Sequence, residues 1–594
     1  MFRSLTFRGS VSLALFVLLS SVAYAQPCDD FQWTNPQPQG NRLAGIAYGR
    51  GRFVAVGRAG TIVSSMDGVE WTAEDSSTRA DLWDVIWTGA FFAAVGDKGT
   101  VLTSPDGLLW SGSRSGTDAS LRKVLWNGAQ FVAVGDRGAV ITSTDALFWT
   151  LRATPVDKML RDVAYNGSRY VAVGDYGVNM HSADGVTWAS GSFDGVDALY
   201  AAAWDGSRFV VSGTGFLSYG VTLTSRDGIN WQGVALGSLP AIYGLYWTGA
   251  ELIGVGAEIF ASRDGVSWIL RDAPSHPDLF DVASDGRQLV AIGDKGAILT
   301  SADGQRWEHR SNGTRASVVD IATNGLMHVA VGIYATILTS PDLATWTSRN
   351  TGGYGGWLLG VTWGGGKFVA VGERGTVMTS PDGLVWSSHV SGTASVLYDV
   401  LHDGRRFLAI GSEGTVLASP DGASWTTLAN PIYNTLKAVA FNGSEYVAVG
   451  GALARLILSS PDGVEWTIRY SESGGTVSDV TWNGTEFLAV GDDGRTWASP
   501  DGRAWRPGSA GVSKLLYGVA WTGVGYVAVG EEGVRVESPD GISWVQYDTR
   551  INHDLLGVEW TGELLVTLGR HGTILSAFCG PDAGRVARQT RFRG

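Results

Sequence analysis

The chain has 594 residues, of which 17% are charged and 44% hydrophobic, and it carries 83 Gly and 25 Trp. So much apolar content with so little charge excludes a disordered chain, and the length allows several domain-sized cores. A formal net charge of −13 and a pI near 5.1 leave no basic field for nucleic acid or an anionic bilayer.

The first 25 residues read as an export signal. Arg3 and Arg8 precede an apolar run from Val11 to Leu19, and Ala23-Tyr24-Ala25 offers a small-x-small cleavage site. The mature chain is expected to start at Gln26 and to be secreted or periplasmic, without a membrane span. In that compartment its two cysteines, Cys28 and Cys579, are free to pair. Just past the signal, "CDDFQWT" (28–34) carries only the back half of a phrase that recurs complete further on.

That phrase, S-x-D-G-x-x-W or a one-residue variant, places Trp at 71, 110, 149, 188, 231, 268, 307, 346, 386, 425, 466, 505 and 544. Spacings are nearly all 39 to 41 residues. From Leu82 the unit reads "LWDVIW", a turn "TG", "FFAAVG", a turn "DKG", "TVLTS", a turn "PDG", and "LLWSG". These are four short β-branched and aromatic strands. At the first turn other copies carry Asn127-Gly128, Asn166-Gly167 or Asn442-Gly443, which predicts a two-residue type I′ hairpin. One such meander cannot bury either apolar face alone, so neighbouring copies must cover it. Four strands per 40 residues is the signature of a propeller blade.

"SPDGLLW" and "SPDGVEW" resemble the Asp-box (BNR-type) repeat of sialidase-like β-propellers, in a form one residue shorter between Asp and Trp. "FVAVGDRGAVITS" resembles the repeat of the photosystem II stability/assembly factor family, and the likeness spans nearly all of 42–576. The resemblance implies a structural box, with Asp bracing the hairpin over the Trp, and no catalysis by these aspartates.

After Trp544 one more unit begins, with "LLGVEW" (555–560), "ELLVTLG" and "TILSAFCG", and then loses its Asp-Gly-x-x-Trp. The segment 26–35 supplies the missing fourth strand. A Cys28–Cys579 disulfide would then replace the absent turn, worth roughly 4–5 kcal/mol in the chain-entropy model. The fold class is therefore all-β, a β-propeller of fourteen four-stranded blades. The favoured division is into two tandem seven-bladed rings, 42–310 and 317–580, followed by a tail at 581–594. Xyloglucanase-like glycoside hydrolases carry such tandem rings. A single ring of fourteen is the alternative, although ordinary rings hold about four to eight blades.

In a repeat protein the consensus is structural, and function is sought where copies depart from it. Arg152, Arg271, Arg310 and Arg469 each follow the box Trp by three residues, and Asp162, Asp281, Asp320 and Asp479 lie ten residues further on. This spacing predicts inter-blade ion pairs. The "G-D-x-G" turns, with Asp97, Asp136, Asp175, Asp294, Glu373, Asp492 and Glu531, predict one acidic face. Three copies break that turn and bring Phe216 and Tyr219, Tyr334, and Arg455; one linker adds Tyr354 and Trp357. These six are the candidate binding residues. No G-x-S-x-G, H-E-x-x-H or zinc spacing occurs, so no metal, cofactor or catalytic residue is assigned. The expectation is an exported monomeric scaffold, non-catalytic, binding a protein or polysaccharide through loop-bearing ring faces. The alternative is a xyloglucanase-like or sialidase-like glycoside hydrolase, which would need two facing carboxylates in a cleft between the rings.

Overall fold

The computed structural model describes residues 28–29, 31–35, 39–215, 219–235, 240–310, 314, 316–351, 354–429, 432–452 and 454–579. The expected signal peptide, Phe216 and the tail at 581–594 lie outside these residues. The described chain forms fourteen four-stranded antiparallel sheets. In blade 2, strands 1 to 4 are Leu82–Trp87, Phe92–Gly96, Thr100–Ser104 and Ser111–Arg114. Among the described residues no helix is long and apolar enough to cross a membrane.

Strand 1 of each blade packs against strand 1 of the next, and the series closes twice. Leu43–Gly49 lies beside Leu279–Ser284, and Val318–Thr323 lies beside Leu555–Trp560. Blades 1–7 thus form one ring and blades 8–14 another. Between blades the cover is aliphatic and aromatic: Ala93, Val95 and Val101 of blade 2 pack on Leu121, Val124 and Phe131 of blade 3. In ten blades an aromatic residue ending strand 1 lies against one opening strand 2, as Trp126 does on Phe131 at 4.3 Å.

The repeated box is a closed hydrogen-bond circuit. In blade 2, Ser104 Oγ donates to Asp106 (3.2 Å) and accepts from the Gly107 amide (2.8 Å). Asp106 accepts the amides of Leu108 and Leu109 (2.9 and 3.2 Å), and Trp110 Nε1 donates to the Gly107 carbonyl (3.1 Å). These amide donors hold the box carboxylates below their usual range, down to about 2 at Asp342. Gly107 has φ +81, and a Cβ there would stand 2.6 Å from Val54 of the preceding blade. The same glycine therefore shapes the turn and lets the blades approach.

The 1–2 turn differs from the type I′ expectation. Asn127 lies outside the left-handed region; Gly128 occupies it alone, at φ +98. The Asn127 side chain accepts the amides of Ala129 and Gln130 (2.8 and 2.7 Å), while its own amide donates to the Gln130 carbonyl. Asn is thus the bracing residue before the turn and Gly the first central one, the pattern of a type II′ hairpin.

The expected arginine–aspartate ion pairs do not form. Asp162, Asp281, Asp320 and Asp479, with Asp84 and Asp399, take the third position of strand 1, on the ring axis. Each accepts a backbone amide from the next blade's strand 1: Val124, Ala202, Ile46, Val361, Val439 and Val519, at 2.7–3.0 Å. Arg152, Arg310 and Arg469 lie on or just past strand 4 and donate to Thr142, Thr300 and Ser459 of strand 3, while Arg271 grips Glu251. Three inter-strand spacings, roughly 14 Å, separate strand 4 from strand 1, so a ten-residue sequence interval spans a whole blade radius. The Asp281–Ile46 bond joins the seventh blade to the first and closes the first ring.

The second ring closes differently. Gln32–Asn35 pairs antiparallel with Ile574–Phe578 as the outer strand of blade 14, and a disulfide joins Cys28 to Cys579. The Asp29 amide donates to the Phe578 carbonyl (2.8 Å), and Trp346 of blade 8 donates to Thr34 (3.2 Å). Beneath this segment lies a fully buried Arg535–Glu537 ion pair. The Arg535 guanidinium stacks on Phe31 at 4.3 Å and donates to the Asp29 carbonyl. The rings touch through Arg79–Asp548 (2.5 Å), Arg550–Asp75 (3.0 Å) and a bond from Asn41 to the Arg550 carbonyl (3.0 Å).

Candidate functional site

Each strand 1 has a register shift around its second residue, as between Leu82 and Asp84 or between Leu160 and Asp162. A bulge of this kind re-aims the extra side chain. The third-position aspartate then reaches the next blade, while the second-position residue turns to the channel mouth. In the first ring these residues are Ala44, Trp83, Arg122, Arg161, Tyr200, Tyr243 and Phe280, with Tyr200 at the second register shift of the longer strand Val196–Trp204. They line a cavity of about 240 Å³, with Arg42 at its rim and Lys123, Asp162 and Asp281 at its floor.

The mouth pairs guanidinium with aromatic groups. Arg122 stacks on Trp83 (4.2 Å), Arg161 on Tyr200 (5.2 Å) and Arg42 on Phe280 (4.5 Å). Tyr243 bridges Tyr200 and Phe280 at 5.1 and 5.8 Å between ring centres. The acidic "G-D-x-G" turns point inward to hold this set. Asp136 takes a forked pair from Arg122 (2.9 and 3.0 Å), and Asp175 takes Arg161 (2.6 Å). Asp294 takes Arg42 (3.1 Å) and Asp97 takes the Trp83 indole (2.6 Å). The first-ring turns are therefore spent as braces, not displayed as an acidic face. A guanidinium has five N–H donors, so one fork to aspartate leaves others for a ligand. Because the local cations are matched by acids, the mouth offers directional donors and ring faces rather than net charge.

At the floor, Lys123 reaches Asp84 (3.0 Å) and Asp281 (3.9 Å). Burial opposes its charge, but Asp281, Asp84 and Asp162 together hold the ammonium well above its ordinary range. Burial raises Asp162 to about 6, against the pull of Lys123. The second ring carries Val319, Leu359, Tyr398, Lys437, Ser478, Tyr517 and Leu556 at the mouth positions. Its axis holds Asp320, Asp399, Asp479 and Glu559. Burial raises Asp399 to about 6 and Asp479 to about 7, and burial with the nearby Asp479 and Asp399 raises Glu559 to about 8.

Of the six residues singled out from turn departures, Phe216 lies outside the described residues and the other five do not converge as a group. Tyr334 (71% exposed) and Trp357 (42%) belong to neighbouring loops of blades 8 and 9, joined by a bond from the Ala335 amide to the Gly356 carbonyl. Tyr354 turns inward, its hydroxyl donating to the Trp357 carbonyl. Tyr219 is half exposed on the first ring. Arg455 is buried, held by Asp492 (2.6 Å) and Glu472 (3.4 Å), and so ties blade 11 to blade 12 rather than facing a ligand. The cleft between the rings, about 320 Å³, contains Asp81, Glu531, Glu532 and Asp548. Arg79 holds Asp548, Lys514 holds Glu532 (2.6 Å), and the Leu515 amide donates to Glu531.

The mouth residues escaped the sequence reading, which looked for departures in turns. Their signal lay in strand 1, whose second position varies freely after an invariably aliphatic residue.

The fold and its two axes define a tandem β-propeller protein. PorZ, an essential bacterial surface component of the type-IX secretion system of Porphyromonas gingivalis, matches with a TM-score of 0.63 at 12% identity. The match covers 93% of this chain and 87% of PorZ. YCF48 bound to a D1 peptide matches at TM-score 0.40 and 20% identity, over 45% of this chain and 93% of that one. The extracellular domain of BT4673 from B. thetaiotaomicron matches at TM-score 0.37 and 9% identity, over 92% and 82%. No family model matches the sequence, and no curated protein matches it. At these identities the likeness to PorZ shows the fold alone.

Proposed function

We propose that this chain is an exported, non-catalytic scaffold that binds a protein partner at the mouth of its first ring. The observation carrying this reading is the bulge-presented set Trp83, Arg122, Arg161, Tyr200, Tyr243 and Phe280, absent from the second ring. Aromatic and arginine side chains are the commonest anchors of protein interfaces, and a cavity of about 240 Å³ accepts one or two side chains or a chain end. The disulfide and the leader-like first 25 residues support export. The bracing of the box supports placing it with the Asp-box repeats. The two ring closures support domain limits at 42–310 and 317–580.

The test is selection of a displayed random-peptide library on the full chain, counter-selected on Trp83→Ala/Arg122→Ala. Enriched peptides should lose about tenfold or more in affinity for the double variant. Equal binding to both chains would refute the assignment.

A further inference from the structure

The first ring has a larger opening on its opposite face, between blades 6 and 7. Most blades fill the space behind the 1–2 turn with a pair of rings, as Trp126 and Phe131 do. Blade 7 carries Ser284 and Leu289 at those positions, and blade 6 carries Leu252 at the second. The volume given up is open as a groove of about 680 Å³, to which Ser284 and Leu289 contribute. Its other residues come from the 1–2 and 3–4 turns and the adjoining strand ends of blades 6 and 7, on the side of the ring away from the mouth.

Two further departures meet in this groove. Tyr246 stands where every other strand 1 has Ala, Ile, Leu, Thr or Glu, and its half-buried hydroxyl meets Ser284. Arg271 Nη2 donates to both oxygens of Glu251 at 2.9 Å. In blades 3, 7 and 11 the equivalent arginine Nε donates to a hydroxyl ten residues earlier: Thr142, Thr300 or Ser459. In blade 6 that residue is Ala261, and the buried Arg271 Nε has no acceptor among the described residues. Ala261, Arg271, Glu251 and Tyr246 all line the groove.

The wall therefore offers a tyrosine ring, a charge-neutral guanidinium–carboxylate pair and a donor lacking its oxygen. A hydroxyl is donor and acceptor at once, so adjacent hydroxyls complement such a pair. A neutralised pair gives a charged ligand no advantage, and the volume lies in the range of small-ligand sites, about 300–1,000 Å³. We propose that this groove binds a neutral oligosaccharide, with Tyr246 against a sugar face and the Glu251–Arg271 pair on its hydroxyls. The assignment is independent of the protein-binding mouth.

The experiment is a glycan array of neutral and acidic oligosaccharides probed with the full chain, followed by calorimetry on the strongest neutral binder. Tyr246→Ala should weaken it about tenfold or more. Ser284→Trp/Leu289→Phe, which restores the ring pair of other blades, should abolish it with the fold intact by circular dichroism. Trp83→Ala should bind as the wild type does. Binding of no neutral glycan, binding of acidic glycans only, or undiminished binding by the refilled variant would each overturn the proposal.

Discussion

The two rings share one repeat and one set of inter-blade aspartates, yet their axes solve the same electrostatic problem in opposite ways. Each places three aspartates on the axis, bonded to amides of the next blade. The first ring adds Lys123, 3.0 Å from Asp84 and 3.9 Å from Asp281. The second adds Glu559, a fourth carboxyl. The repeat thus specifies blade-to-blade bonding, and a single substitution then sets the charge of each axis. The compensated axis also bears the elaborated mouth.

Both axes have a pH signature, and they differ in reach: burial raises Asp84 to about 7 and Asp162 to about 6 in the first ring, against the pull of Lys123, while the second ring's carboxyls extend the range upward. Asp399, Asp479 and Glu559 bind protons more tightly folded than unfolded, with values raised to about 6, 7 and 8. The native second ring then holds more protons than the unfolded chain, and stability falls as pH rises from about 4 to about 8. The box aspartates run the other way, their contribution being lost as pH falls through their lowered values.

The largest expected effect tests the closures. Cys28→Ser with Cys579→Ser should lower the stability of the second ring by about 2–5 kcal/mol, leaving the first ring unchanged, as two separate transitions in denaturant titration. Loss in both rings together would contradict independent closure. Next, Lys123→Met should cost the first ring about 3 kcal/mol by leaving buried carboxylates unpaired, and should push its acid-stabilised profile to higher pH, because Lys123 is what pulls Asp84 and Asp162 down. An unaltered profile would break the comparison. The smallest effect is expected from Glu559→Gln: the second ring should melt about 2 °C higher at pH 8, with little change at pH 5, in calorimetric scans at both pH values.

The blade, its count and the closing strand were legible because each rests on local pattern: strand runs, turn residues and a fragment missing from one end. Asp162 and Asp281 were legible as inter-blade residues, but their partners were not. Their partners are amides about 40 residues away in one case and across the ring closure in the other, and no side-chain pattern marks an amide. Asp84 and Asp399 play the same part with Glu74 and His389 ten residues earlier, so the arginine spacing was coincidental. Trp83 and Arg122 were hidden because strict strand alternation assigns them no special direction; the bulge that turns them to the mouth is a backbone event.

The strand Gln32–Asn35 belongs to the second ring, yet the chain goes on from it to build the first. The polypeptide therefore crosses between rings twice, between Asn35 and Leu43 and again between His309 and Val318. Two crossings hinder the swivelling that a single linker would allow, and a protease cut in either one leaves the rings joined by the other. During synthesis the outer strand of the last blade emerges before every other strand and must wait for residues 574–578, so the second ring can seal only after all the other blades have been made.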